Sequence, residues 1–216
     1  MKKVKDLSFR QIYNQLIYIE DEKLLNIMKM GYKIPSTFEE TGLLLYAYID
    51  EEDGICFNVF SLVKDEDEKL VKFNDSPMEE KLNHKIKYED IKESKARPLE
   101  LEAEIAFNYA DRAVEINHEH EVSQERNKLR SNTQIDLFRH QIHPDDLECF
   151  LYNPSTNFTH AFWAKGEKMT DTSIIASILT PLPKELGFAL GDMIELKLYK
   201  YKDSTRLIHV LEEEIQ

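Results

Sequence analysis

Apolar positions recur at spacings of three and four through Leu7, Phe9, Ile12, Leu16, Ile17 and Ile19, and again through Leu24, Leu25, Ile27, Met28 and Met30. That period lays side chains along one stripe of a helix. Residues 7–30 therefore read as N-terminal helices. Ser8 can cap the start, the acidic run Glu20-Asp21-Glu22 suggests a break, and Gly31 suits the C-terminal end.

Strand patterns follow. Leu43 to Ile49 is a β-rich run, Asp50 to Gly54 is turn-forming, and Ile55 to Val63 answers the first run. Lys69 to Phe73 adds a short third strand, so about 43–73 reads as an antiparallel β-hairpin or meander. Asn74-Asp75-Ser76-Pro77 is a turn, with Pro77 placed to open a short helix through about His84. The stretch 85–97 is mostly charged, with few apolar anchors, and marks the expected domain boundary. This gives an N-terminal α+β region over 1–95 and a C-terminal α+β region over 96–216, with a single compact domain as the equal alternative.

The middle of the chain supports two readings. Leu99, Leu101, Ala103, Ile105 and Phe107 alternate with Glu100, Glu102, Glu104 and Ala106, as in a strand with one acidic face. Leu, Glu and Ala are also strong helix formers, and Pro98 suits a helix N-terminus. No Gly lies between Ile55 and Ala164, and tight hairpins usually need one. A long helical middle over about 99–130 is the expectation, with a β-hairpin as its rival.

Further along, Asp145 or His143 can open a short helix through Tyr152, with Pro144 near its first position. Phe158 to Ala164 reads as a strand, and Lys165-Gly166-Glu167-Lys168 as a turn. Pro181 to Phe188 contains a short helix, and Met193–Tyr201 pairs with 206–211 in a terminal hairpin. The turn Leu186-Gly187 to Gly191-Asp192 resembles, over about twenty residues, turns that feed strands in small β-barrels, including swapped-hairpin DNA-binding proteins. The fold class expected is α+β: N-terminal helices, a β-meander, a long helical middle and a mainly antiparallel C-terminal region.

Composition narrows the function classes. Lys and Arg total 28 and Asp and Glu total 41, so the 216-residue chain carries a formal charge of −13. That charge opposes encounter with phosphates and anionic lipid. No apolar stretch approaches the ~20 residues that span a bilayer, and no secretory leader pattern follows Met1, so a cytoplasmic protein is expected. Cys56 and Cys149 both adjoin Phe and read as buried thiols. Phosphate-cradling Gly-rich loops, serine-nucleophile elbows and paired-Cys zinc motifs are missing from the sequence.

Five of the seven histidines lie between 118 and 160. His118-Glu119-His120 followed by Glu125 resembles a cupin metal-binding strand, which works only where residues two apart share a face. Glu115 and His118 have the spacing of carboxylate di-iron helices, without the second motif such bundles use. His140-Gln141-Ile142-His143 with Asp145 or Asp146 can present two imidazoles and a carboxylate to one ion, or else cap a helix. Arg126, Lys128, Arg130 and Arg139 form a local basic strip.

Two function classes result. The first is an acidic, cytoplasmic interaction or regulatory protein that works through protein–protein contacts, without a cofactor and with a homo-oligomer left open. The second is a metal-dependent hydrolase or nuclease. There His140, His143 and Asp145 bind Zn, Mn or Fe, His118 or His120 completes the shell, and Arg126 or Arg130 holds a phosphate. A nucleic-acid mimic is a further alternative on the acidic charge alone.

Overall fold

The computed structural model describes residues 1–33, 39–66, 69–73, 84–99, 103–201 and 204–211. The chain divides into two compact units, Met1–Glu121 and Val122–Gln216.

In the first unit β1 (Lys2–Lys3), a 3₁₀ turn (Val4–Asp6) and α1 (Phe9–Ile12) lead into β2 (Leu16–Glu20) and α2 (Glu22–Gly31). There follow β3 (Gly42–Asp50), β4 (Gly54–Glu66), β5 (Lys69–Phe73), β6 (Lys85–Lys87), α3 (Tyr88–Ile91), β7 (Lys95–Pro98) and α4 (Ala103–Glu119). The sheet order is β1-β7-β2-β3-β4-β5, with β6 also paired to β4. Every pairing is antiparallel.

The central strands are apolar on both faces because both are covered. One face carries Tyr18, Leu44, Tyr46, Tyr48, Cys56 and Phe60, packed with Tyr109 and Ile116 of α4. The alternate positions Leu43, Leu45, Ala47, Phe57 and Val59 are equally buried. Removing a side chain such as Phe57 or Phe60 from water stabilises by about 1.5–3 kcal/mol. Polar contacts fix the seat of α4. Arg112 donates to the Asn58 side chain at 2.6 Å and to the Val59 carbonyl at 2.9 Å, and Tyr46 donates to Asn117 at 3.0 Å.

The second unit begins with α5 (Gln124–Ser131) and a 3₁₀ segment (Thr133–Phe138). Then come β8 (Asp146–Asn153), β9 (Phe158–Met169), β10 (Ile174–Ile178), a 3₁₀ turn (Lys184–Leu186), β11 (Met193–Tyr201) and β12 (Ser204–Val210). These five strands close a barrel. Neighbours in sequence pair antiparallel, so the first and fifth strands run the same way and β12 closes on β8 in parallel. Leu147, Cys149, Leu151, Phe162, Ala176, Ile194, Leu196 and Leu207 belong to its core, joined by Leu129, Ile135 and Phe138 from the covering helices.

The α+β expectation is overturned: the protein is mostly β, with 44% strand and 28% helix. There is no long helical middle. The region holds α4 of 17 residues and α5 of 8, and Ser123 ends their continuity by accepting from the Arg126 N–H as the N-cap of α5. The N-terminal helices are shorter than expected because Leu16–Glu20 is a strand between β3 and β7. Its run of Leu, Ile, Tyr and Ile suits a strand buried on both faces. Asp21 then caps α2, accepting from Leu24 at 2.9 Å.

Three other expectations change. Residues 146–152, read as a helix, form most of β8, whose Leu147, Cys149 and Leu151 point into the barrel. Gly166 lies within β9 and is not a turn residue. The charged stretch 85–97 is woven into the first sheet, burying Ile86, Tyr88, Ile91 and Ala96. The helix read from Pro77 lies almost wholly outside the described residues.

Candidate functional site

The structure scatters the candidate metal ligands. His118 ends α4 with its side chain 84% exposed, 3.4 Å from Glu121. His120 lies one residue past the end of α4, its N–H bonded to the Ile116 carbonyl, and its side chain takes a different direction from that of His118. Its ring packs on Tyr48 at 4.4 Å, with Nδ1 3.8 Å from Asp50. The cupin-like reading fails for this reason: it required a strand.

His140 and His143 stack with ring centres 5.7 Å apart, and Trp163 meets His140 edge-on at 5.2 Å. His140 Nδ1 accepts the backbone N–H groups of Ile142 at 3.3 Å and His143 at 3.1 Å, so that nitrogen is used in forming the turn. Asp146 lies beside both rings. Burial holds its carboxyl above the ordinary value, against the opposing pull of His143, Lys165 and His140. Asp145 faces away and is buried on Arg130. Among the described residues no group of three His, Cys, Asp or Glu side chains could hold a metal ion.

The three arginines of the basic strip are likewise internal. Arg126 pairs with Glu167, and Arg130 makes a two-pronged pair with Asp145. Arg139 bonds Asp136 and the carbonyls of Leu129 and Pro144, its side chain only 2% exposed. These arginines fasten α5 and the following 3₁₀ segment to the barrel. Lys128 lines a wide hollow of about 930 Å³ between α5 and the end of β9.

In the first unit an ionic ladder lies at the β3–β4 turn. Lys85 reaches Asp50 at 2.7 Å and Asp53 at 2.8 Å, and Lys87 reaches Asp53 at 2.6 Å. Burial works to raise the Asp50 carboxyl, but the Lys85 ammonium and the N–H groups of Asp53 and Glu52 outweigh it and bring it down to about 2. Cys56, buried behind this turn, has its thiol pushed up to about 12 by desolvation, so it is an inert core residue. Cys149 is raised by burial as well.

Among the described residues a cleft of about 840 Å³ lies on the barrel. That volume falls within the range of binding pockets, roughly 300–1,000 Å³. Strand β11 contributes Glu195, Lys197 and Tyr199, and the end of β12 contributes Ile208, His209 and Val210. Glu185, Leu186 and Phe188, around the 3₁₀ turn, and Asn153 and Ser155 at the end of β8 also line it. His209 Nδ1 is 2.8 Å from the Glu195 carbonyl, and Phe188 holds its ring edge-on at 5.6 Å. Sequence reasoning missed this site because its members come from four segments, the fourth being Asn153 and Ser155 at the end of β8. The one available signal was the alternation of Glu195, Lys197 and Tyr199 along a strand.

No protein-family model matches the chain, and no curated protein or solved structure matches it either. No helix among the described residues is long and apolar enough to cross a membrane.

Proposed function

We propose that this protein is an interaction module, a regulatory protein that acts by holding a segment of a protein partner in the cleft of its C-terminal barrel. The observation that carries this reading is the make-up of the cleft. The lining combines the apolar Leu186 and Phe188 with polar groups on β11 and β12, and Tyr199 on β11 is 41% exposed. Exposed aromatic side chains beside apolar pockets are favoured anchors of protein interfaces. Leu190 and Met193, 59% and 55% exposed, add apolar surface beside the start of β11.

Site-specific photo-crosslinking tests this. A benzophenone amino acid replaces Tyr199 in one variant and Leu137, 86% exposed and outside the cleft, in another. The Tyr199 probe should form adducts with one discrete protein, the Leu137 probe should not, and Phe188→Ala should abolish them. The purified partner should then bind the native chain but not the Phe188→Ala variant. Adducts common to both positions, or none at Tyr199, would refute the reading.

A further inference from the structure

We propose that Met169 is a reversible oxidation site, at which a hydroperoxide converts the thioether to a sulfoxide of predominantly one handedness and so unfastens the side chain of Asn132. None of the cleft residues takes part.

Met169 ends β9 and is 37% exposed, lining the hollow of about 930 Å³ beside α5. Its Sδ accepts a hydrogen bond from Asn132 Nδ2 at 3.1 Å. The amide cannot be turned round, because Asn132 Oδ1 accepts the Gln134 N–H at 2.9 Å and only Nδ2 is left to face the sulfur. Asn132 also closes α5. Its backbone N–H bonds to the Leu129 carbonyl at 3.1 Å, and the 3₁₀ segment begins at the next residue. Leu129 before it and Ile135 and Phe138 after it reach the barrel core. The thioether therefore ties the junction of the two covering segments to the end of β9.

The sulfur atoms differ in what oxidation does to them. Among the described residues Met1, Met30 and Met193 are the other exposed methionines, and none of their sulfurs has a hydrogen bond. Met28 is buried. Cys56 and Cys149 are buried too, and burial raises both thiols, which withholds the reactive thiolate. Among the described residues Met169 alone combines an accessible sulfur with a bond that joins two elements.

A thioether sulfur has two lone pairs, and Asn132 occupies one. With hydrogen peroxide, the free pair attacks one peroxide oxygen. An S–O bond forms, the O–O bond breaks, and the other oxygen leaves as water after proton transfer. Sulfur gives up two electrons and the peroxide takes them. Because oxygen arrives on the open side, one sulfoxide epimer predominates, and its oxygen points away from Asn132. The oxidised sulfur carries partial positive charge and accepts poorly, so the Asn132 N–H loses its partner. A thiol-dependent reductase specific for that epimer reverses the step, the oxygen leaving as water while two thiols become a disulfide.

The test treats the full chain with hydrogen peroxide and measures sulfoxide at each methionine by mass spectrometry after digestion. Met169 should oxidise at a rate comparable to Met30 and Met193 and well ahead of Met28. Reductases specific for each epimer then read the handedness. One epimer at Met169 should exceed the other by about fivefold, since attack on the bonded lone pair must first break a hydrogen bond. Met193, which lacks such a bond, should give nearly equal epimers. Asn132→Asp keeps the oxygen that accepts the Gln134 N–H and removes the donor to sulfur, so its Met169 ratio should fall to that of Met193. In the ¹⁵N-labelled chain, oxidation should shift the Asn132 side-chain amide signal and the matching reductase should return it. In Met169→Leu the same treatment should leave that signal in place. Amide spectra that superimpose away from positions 132 and 169 confirm folding, and the native chain with Met169→Leu decides the matter if Asn132→Asp does not fold. Oxidation of Met169 as slow as that of Met28, an epimer ratio unchanged by Asn132→Asp, or an Asn132 signal unmoved by oxidation would overturn the proposal.

Discussion

Arg130 and Asp145 face each other inside the C-terminal unit, Nε and Nη2 of the guanidinium lying 3.0 and 2.7 Å from the two carboxylate oxygens. Their side chains are only 5% and 9% exposed. Removing one partner leaves the other charged and buried, which costs about 3–5 kcal/mol. Arg130→Met and Asp145→Leu should each destabilise by that order, and the double variant by much less than their sum. Urea unfolding followed through the fluorescence of Trp163, the one tryptophan of the chain, measures this in the unit that holds the pair. Additive losses would show that the two groups do not depend on each other.

Gly166 has no room for a side chain. A Cβ there would sit 2.2 Å from Leu129 Cδ2, on the helix that covers the barrel. Gly166→Ala should destabilise by about 1–3 kcal/mol through overpacking. Leu129→Ala is itself costly, but in that background Gly166→Ala should cost less, a coupling that a double-mutant cycle of thermal unfolding would reveal.

The turn at His140 depends on an acceptor, since Nδ1 receives two backbone N–H groups. His140→Asn keeps an oxygen acceptor of the kind that closes Asx turns. His140→Leu leaves both donors without it and should cost about 1–2 kcal/mol more than the Asn variant. Equal unfolding midpoints for the two variants would refute this account.

The ladder at Asp50 makes a pH prediction. The folded carboxyl lies at about 2, below its ordinary value of 3.8. A depressed carboxyl contributes stability fully above the unfolded value and loses it as pH falls through the folded value. The stability difference between the native chain and Asp50→Asn should hold above about pH 5 and shrink toward pH 2. Carboxyl NMR titration of Asp50 together with urea unfolding checks it. A difference that stays constant across that window would rule out the ladder as its source.

Local patterns carried much of the strand layout. The apolar runs 43–49 and 55–63 lie within β3 and β4, and the terminal hairpin forms from β11 and β12. Runs of this kind are read correctly when one turn joins two neighbours, because the pairing partner is close in sequence. Leu16–Glu20 shows where that stops. Its partners are β3 and β7, the latter some eighty residues distant, and only their presence selects strand over helix. Propensity alone is too weak to decide such a case.

The same divide separates charge from chemistry. The sequence by itself determined the acidity of the chain, its apolar runs and the absence of familiar catalytic motifs, since these are properties of residue type and spacing. Tertiary structure decided which charges are surface and which are internal. Arg126 and Arg130 count as a basic strip only until Glu167 and Asp145 are folded against them. It also decided that His118 and His120 part company at the end of a helix, and that Phe188 and the Glu195 carbonyl meet at His209. The physical reason is range. Periodicity reports which face a residue takes within its own element, and only packing determines what that face meets.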